Sequence, residues 1–362
     1  MKHAVAMVFC LLVLWVPAGA EDLFSDQKTA GQASMWQALD GEAQSLMNGI
    51  SAEQDLAQEL YALLQRTQQD QQGAVRSAAA TLTRVAIVLI LCSCAGSFSK
   101  TSKISPLVLS MAGALGITAV VYENLTGMIG ICTETAEEIR IFSKSMLPVM
   151  MTAVTLTGAP ATAAVVYSGT MFALDLCISL ITGVFIPAVS AYVAILTVNT
   201  AMGNDVLTRL AAFLKWLITG ALKLLLTLFF FYITISGSVS HGLDSGTVKA
   251  TKFALSGSVP VVGTILSGAT DAVLSGAVVL KNTLGIFGML CVAAICLVPF
   301  LRVGISYLVF KAGTALLSPI CPSGLNGLLD GITSSMGLIL GMLGSCSALL
   351  FFELVYSVVM TT

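Results

Sequence analysis

Apolar and polar stretches alternate along this chain in a pattern typical of a polytopic membrane protein. From residue 82 onward, most apolar runs are long enough to cross the hydrocarbon core as helices, which takes about 20 residues. The pattern predicts an all-α fold, a multipass transmembrane bundle of six to eight spans. The candidate spans are Leu82–Phe98, Ile104–Tyr122, Met146–Ser168, Phe172–Val198, Trp216–Ser236, Val259–Leu280, Leu284–Leu301 and Gly331–Val359.

Some segments of this membrane part depart from a plain apolar span. Residues 131–144 and 205–215 mix charged with apolar positions, which predicts helices lying in the membrane interface. Residues 236–244, which include His241, are predicted to form a flexible loop. The sixth candidate span is rich in Gly, Ser and Thr. It is expected to be a re-entrant or bundle-buried helix, since polar backbone at membrane depth needs shielding from lipid.

The first 20 residues have the layout of a cleaved export signal. Lys2 precedes the apolar run Ala4–Val16, and the small residues Ala18–Ala20 follow it. This run is too short for a span, and its small-residue end is typical of a signal-peptidase site. We therefore predict that residues 1–20 are removed and that the mature chain begins outside the cytoplasm. The positive-inside rule then places the Lys100–Lys103 turn on the cytoplasmic side.

Residues 21–78 form a polar, Gln-rich segment between the signal and the bundle of residues 79–362. Ser51 and Gln54 match a capping box, which marks a helix start. Apolar positions recur at helical spacing, so the segment is predicted to contain two short amphipathic helices. Their stripes need cover from each other, from the membrane surface or from a partner protein. The stripe residues are Trp36, Leu39, Ala43, Leu46 and Met47 in the first helix, and Leu56, Leu60, Leu63 and Leu64 in the second.

Composition supports the assignment of lipid as the main solvent. Of the 362 residues, 56% are hydrophobic and only 10% charged, whereas a soluble domain carries about 25% charge. The net charge of −2 and the absence of a Lys/Arg cluster argue against a nucleic-acid partner. Most of the nine cysteines lie in apolar stretches, so we expect them to pack as small hydrophobes rather than as disulfides.

The sequence offers little catalytic chemistry. Only His3 and His241 are present, and no zinc-protease motif, phosphate loop or nucleophile elbow occurs. We therefore expect neither an enzyme nor a bound cofactor or metal.

Charged residues inside the predicted spans are the better functional candidates, because burying a charge in the bilayer is costly. Asp175, Lys223, Asp271 and Lys281 lie within or beside spans. Each either lines a polar path, pairs between helices or reaches the interface from a span end. Snorkelling is favoured for Asp175, Lys281 and Arg302, which lie near predicted span ends, and a bundle-interior position is favoured for Asp271. Glu353 also falls inside the last candidate span.

One stretch resembles a known family. The sequence FALSGSVPVVG at Phe253–Gly263, followed by Asp271, Lys281, Asn282 and Gly285, is similar to the corresponding stretch of the stage III sporulation protein AE family. The likeness continues more weakly from about residue 81 onward. The export signal and the polar N-terminal segment also fit that family's layout.

The resemblance implies a protein of an endospore-forming bacterium, located in the mother-cell membrane around the forespore. It implies partners in a channel-like secretion complex, including ring-forming membrane subunits and a cytoplasmic ATPase. It implies no catalytic residues. The matching positions Pro260, Gly263, Asp271, Lys281 and Asn282 are expected to act in packing or in a polar path, together with Lys223 and Asp175.

Two functions fit these observations. The first is a non-enzymatic membrane subunit of a multi-protein channel between mother cell and forespore, with the N-terminal segment in the intermembrane space. The alternative is a self-sufficient secondary transporter or permease, for which Asp271 and the Pro/Gly-interrupted spans would suit a midplane substrate site. An exported Gln-rich segment favours the first, because a transporter has no need of one.

Overall fold

A computed structural model describes residues 28–48, 62–63, 65–67, 72–99, 106–156, 160–203, 205–258 and 262–359. Side chains are described over the same ranges except at 160–166, 237–278, 280, 281 and several other positions. Nearly all of these residues are helical, and none of them forms a strand. The all-α polytopic fold class is confirmed. Residues 51–61, which hold most of the second predicted N-terminal helix, lie outside the described ranges.

Eight α-helices follow one another along the described chain. They are α1 (Gly41–Met47), α2 (Gln72–Ser99), α3 (Pro106–Leu156), α4 (Pro160–Leu180), α5 (Ile186–Met202), α6 (Asp205–Ser258), α7 (Val262–Leu317) and α8 (Ser323–Val359). A short helical segment at residues 28–37 precedes α1. The predicted boundary at residue 78 falls inside α2.

Six described stretches are long and apolar enough to cross a membrane, so the chain is a multipass membrane protein. They are Gly73–Ala95, Val108–Ala153, Tyr167–Met202, Val206–Ser236, Asn282–Leu317 and Gly324–Ser357.

Several predicted span boundaries are wrong because helices run through the polar connections. Helix α3 contains residues 106–122 of the second candidate span, the predicted interfacial helix 131–144 and the start of the third candidate span. Residues 131–144 contain no Gly or Pro that would end a helix. At 51 residues, α3 is about 77 Å long, more than twice the thickness of the hydrocarbon core.

A π-helical turn joins α4 to α5. Residues Ile181–Phe185 form this turn, and Pro187 follows in the first turn of α5. Proline has no N–H and clashes with the carbonyl four residues earlier, so the wider turn lets the helical path continue through Pro187. The predicted fourth span is therefore part of one helical path from residue 160 to residue 202.

Two further connections are also helical. Helix α6 begins in the predicted interfacial segment 205–215 and continues through His241, so the predicted flexible loop at residues 236–244 is wrong. Helix α7 contains residues 262–280 of the sixth candidate span and the whole seventh span, and it continues through Pro299 to Leu317. The sixth candidate span is therefore part of a longer continuous helix rather than a re-entrant segment.

The core lies where α3, α7 and α8 pack against one another. Its fully buried side chains are long and apolar, and include Phe142, Met146, Leu290, Met336 and Leu343. The outer helix α6 instead exposes a broad apolar face, as a lipid-facing helix does. The exposed residues of this face include Leu210, Phe213, Trp216, Leu224, Leu228, Phe231 and Ile235.

Candidate functional site

The N-terminal helix α1 is started by an aspartate and packed against the bundle. Asp40 accepts hydrogen bonds from the backbone N–H groups of Ala43 at 2.8 Å and Glu42 at 3.3 Å, which satisfies donors left free at a helix start. Ala43 and Met47 are buried at 1% exposure. Helix α1 contacts α7, so the apolar stripe predicted to need cover finds it on the transmembrane bundle.

An ion pair fixes this docked position. The Arg302 guanidinium on α7 donates to both carboxylate oxygens of Glu42, from Nη2 to Oε1 at 2.6 Å and from Nη1 to Oε2 at 3.3 Å. Such two-pronged pairs are stronger and more directional than single contacts. Snorkelling from a span end is the favoured expectation for Arg302, and the structure adds a partner for it on the N-terminal segment.

A second arginine, Arg66, holds the C-terminal end of α1. Arg66 Nη1 donates to the carbonyl oxygens of Leu46 at 2.6 Å and Asn48 at 2.8 Å. Carbonyls at a helix C-terminus lack intrahelical donors and carry partial negative charge, so a guanidinium stabilises them. Both ends of this short helix are therefore held by charged side chains.

Acidic groups gather around the ion pair. Asp40, Glu42, Glu134 and Glu138 line a small cavity of about 60 Å³, and Arg302 is its one basic lining residue. No group of three or more His, Cys, Asp and Glu side chains in the described ranges is arranged to hold a metal ion. The arrangement joins an acidic N-terminal helix to an arginine on the bundle.

A second ionic network links α3 to α4 through Asp175. The Asp175 carboxylate lies 3.0 Å from Arg140 Nε and 3.8 Å from Lys144 Nζ. Arg140 also donates to Glu137 Oε2 at 3.0 Å and to Ser179 Oγ at 2.9 Å. Asp175 therefore forms an inter-helix ion pair, which was the alternative to the snorkelling favoured for it.

Replacing Asp175 with alanine is expected to lower the free energy of unfolding by about 1 kcal/mol, because Arg140, only 21% exposed, loses one of its two carboxylate partners. SDS titration of the purified protein measures this loss. Asp330→Ala is the matched control, since Asp330 is an exposed aspartate on α8. In the Arg140→Gln background, Asp175→Ala should cost much less; an equal cost would show that the pair is not coupled.

Three of the remaining predicted site residues have described positions. Lys223 is exposed on α6, and Asn282 is exposed on α7. Gly263 belongs to the helical backbone of α7. Pro260 and the side chains of Asp271 and Lys281 lie outside the described residues, so their roles in packing or a polar path stay predictions.

A buried carboxyl group in α8 forms a third polar cluster. The Glu353 side chain is 0% exposed, and its Oε2 accepts a hydrogen bond from Ser143 Oγ on α3 at 3.0 Å. Its Oε1, like Tyr356 OH and Ser357 Oγ one turn later, is buried without a hydrogen-bond partner among the described residues. The sequence places Glu353 in a span but does not reveal this partner, because Ser143 is 210 positions away.

Comparison with known proteins agrees with this architecture. The sequence profile of the family described as "Stage III sporulation protein AE" matches residues 43–362. The stage III sporulation protein AE of Bacillus subtilis (strain 168) is 27% identical over 226 residues, which are 62% of this chain and 57% of that protein. The chain thus matches little more than half the length of this curated relative. No solved structure matches it. Since the profile covers most of the sequence, the chain belongs to the stage III sporulation protein AE family.

Proposed function

We propose that the protein is a non-enzymatic, multipass membrane subunit of a channel or secretion complex that links the mother cell to the forespore. Family membership and the six apolar helices support a membrane role in sporulation. The proposed location is the mother-cell membrane around the forespore, with the N-terminal segment in the intermembrane space. The proposed partners are ring-forming membrane subunits and a cytoplasmic ATPase.

The packed centre of the bundle is the observation that best supports a subunit rather than a self-contained pore. Met146 and Met150 on α3, Leu290 on α7, and Met342 and Leu343 on α8 are each 0% exposed. In the described part of the protein, these side chains fill the space where a central passage would run. A passage would then be completed by other subunits or by further copies of this chain.

The docked N-terminal helix supports assembly as well. Its buried face and the Glu42–Arg302 pair attach it to α7. Glu42 keeps 39% of its side-chain surface exposed, and the acidic groups around it leave a charged surface at this end of the bundle. Such a surface suits contact with another protein of the complex better than contact with lipid.

Deletion of the gene in its sporulating host should arrest development after engulfment, and the wild-type chain should restore spore formation. Charge reversal by Glu42→Arg should lower spore yield at least tenfold, because the new arginine at position 42 repels Arg302. Glu42→Arg combined with Arg302→Glu should recover much of the yield, since the pair is rebuilt. Spore counts measure function, and immunoblots verify that each variant accumulates.

The main alternative is a secondary transporter, favoured by the buried Glu353 carboxyl, whose Oε1 has no hydrogen-bond partner among the described residues. Intramembrane carboxyls of this kind mark proton or substrate paths in transporters. Normal sporulation of the deletion strain, together with a nutrient-uptake defect, would support the transporter and overturn the channel proposal. Engulfed but arrested cells with normal uptake would support the channel subunit.

A further inference from the structure

A cavity lies next to the α1 docking site and shares Ile131 and Arg302 with it. Its volume is about 910 Å³, and it is bordered by the first turns of α2, the middle of α3 and one turn of α7. Polar side chains from all three helices line it, namely Arg76, Arg84, Glu123, Asn124, Arg302 and Ser306. We propose that this arginine cavity binds the head group of an anionic phospholipid. The inference rests on the cavity itself and does not depend on the proposed sporulation complex.

The charges of the lining favour an anion. Arg76 and Arg84 lie two turns apart on α2, and Arg302 faces the cavity from α7. Glu123 is the one carboxylate among the lining residues, and it lies 3.9 Å from Arg84. The charge of Arg302 is already balanced by Glu42. Arg76 and Arg84 against Glu123 leave one positive charge in excess (2 − 1 = 1). Guanidinium groups bind phosphate oxygens with two parallel hydrogen bonds, so a phosphate ester fits this lining.

A hydrogen-bond acceptor in the cavity indicates more than a bare phosphate. Asn124 Oδ1 is buried and has no hydrogen-bond partner among the described residues. An amide oxygen accepts hydrogen bonds, so it fits a hydroxyl group of the ligand rather than its phosphate. A phosphodiester that carries hydroxyl groups, such as a phosphoglycerol head group, would satisfy both the arginines and Asn124.

The surroundings of the cavity favour a lipid over a soluble phosphate. On α2 the polar lining residues come first, and the exposed apolar residues Ile87 and Leu91 follow Arg84 along the helix. On α3 the order is reversed, with exposed Leu115 and Tyr122 preceding Glu123.

The two helices run in opposite directions, because the Gly113 position lies against Cys92 and the Gly116 position against Val88. The polar residues of α2 and α3 therefore lie at the same end of this helix pair, and the exposed apolar residues of both helices lie toward the other end. This is the order of acyl chains and head group in one leaflet, and basic pockets between transmembrane helices are known binding places for anionic lipid head groups.

The test uses the full-length protein in a mild neutral detergent and measures lipid binding by native mass spectrometry. The probes are phosphatidylglycerol, phosphatidylcholine with the same acyl chains, and free glycerol phosphate. We expect phosphatidylglycerol to bind at least tenfold more tightly than phosphatidylcholine. Arg76→Gln combined with Arg84→Gln should weaken phosphatidylglycerol binding about 30-fold.

The matched control removes the same charge elsewhere. Arg209→Gln combined with Lys223→Gln replaces two exposed cations on α6, and phosphatidylglycerol binding should stay within about twofold of the wild type. All four positions are exposed, so both double variants should fold. Asn124→Asp supplies a further variant, since a carboxylate in the cavity should also weaken phosphatidylglycerol binding.

Three results would overturn the proposal. Equal binding of the two phospholipids would show that the head group is not recognised. Equal weakening by the α2 and α6 double variants would show general charge attraction rather than a site. Arginine-dependent binding of free glycerol phosphate, without preference for phosphatidylglycerol, would assign the cavity to a soluble anion instead of a lipid.

Discussion

Replacing Phe142 with alanine is expected to destabilise the bundle by about 3 kcal/mol. The ring is 0% exposed on α3, in the core shared with α7 and α8. Buried Phe→Ala changes cost about 3–5 kcal/mol in soluble proteins, where lost transfer from water adds to the cost of the cavity. Lipid is nearly as apolar as a core side chain, so in this protein the lost packing contacts carry most of the effect and the lower value applies.

The matched control is Phe231→Ala on α6, whose side chain is 63% exposed. Detergent or lipid fills the space left by this ring, so the loss should stay below about 1 kcal/mol. SDS titration of the purified proteins compares the two variants. Equal losses would mean that Phe142 is not part of a closed core, and the support for a packed bundle centre would fail with it.

Replacing Gly313 with leucine is expected to push α7 away from α2 and to cost about 3 kcal/mol or more. A Cβ atom at this position would lie 2.8 Å from Leu82 Cγ, and both Leu82 methyl groups are closer still. A small shift of the Leu82 side chain could admit one methyl group, so Gly313→Ala should cost less. A leucine needs room that this contact between the helices does not have.

Two further variants isolate the cause of this effect. At Gly220 on α6, no atom of the described residues outside the adjoining helix backbone lies within 4 Å of the new Cβ. Gly220→Leu should therefore be neutral or slightly stabilising, because leucine favours helix more than glycine does. Leu82→Ala in the Gly313→Leu background should restore part of the lost stability by freeing the occupied volume. Thermal unfolding in detergent measures the stability of each variant. A large loss of stability in Gly220→Leu, or no recovery in the Leu82→Ala/Gly313→Leu double variant, would contradict the steric explanation.

The fold class and the docking stripe could be read from the sequence because they depend on local pattern. Leu39, Ala43, Leu46 and Met47 were assigned to one apolar stripe, and all four are buried. The same stripe was expected on a single helix, whereas Asp40 divides it by capping a new one. An aspartate before Gly41 is a recognisable start signal, so this break was accessible from the sequence.

The helix boundaries and the ion pairs were harder to predict. Candidate spans were divided at charged positions, but Glu134 and Arg140 belong to a helix that continues far beyond them. Charge alone does not end a helix; Gly, Pro and capping residues do. The partners of Asp175 and Arg302 come from other helices, and only the three-dimensional packing brings them together.

The Glu42–Arg302 pair constrains when the protein can reach its final form. The two residues are 260 positions apart, and at 5–20 residues per second a ribosome needs roughly 13 to 52 seconds to make the chain between them. During that interval α7 is not yet available, so it cannot cover the apolar stripe of α1. The newly made N-terminal segment therefore needs temporary cover. A chaperone or the membrane surface can supply it until α7 has been synthesised.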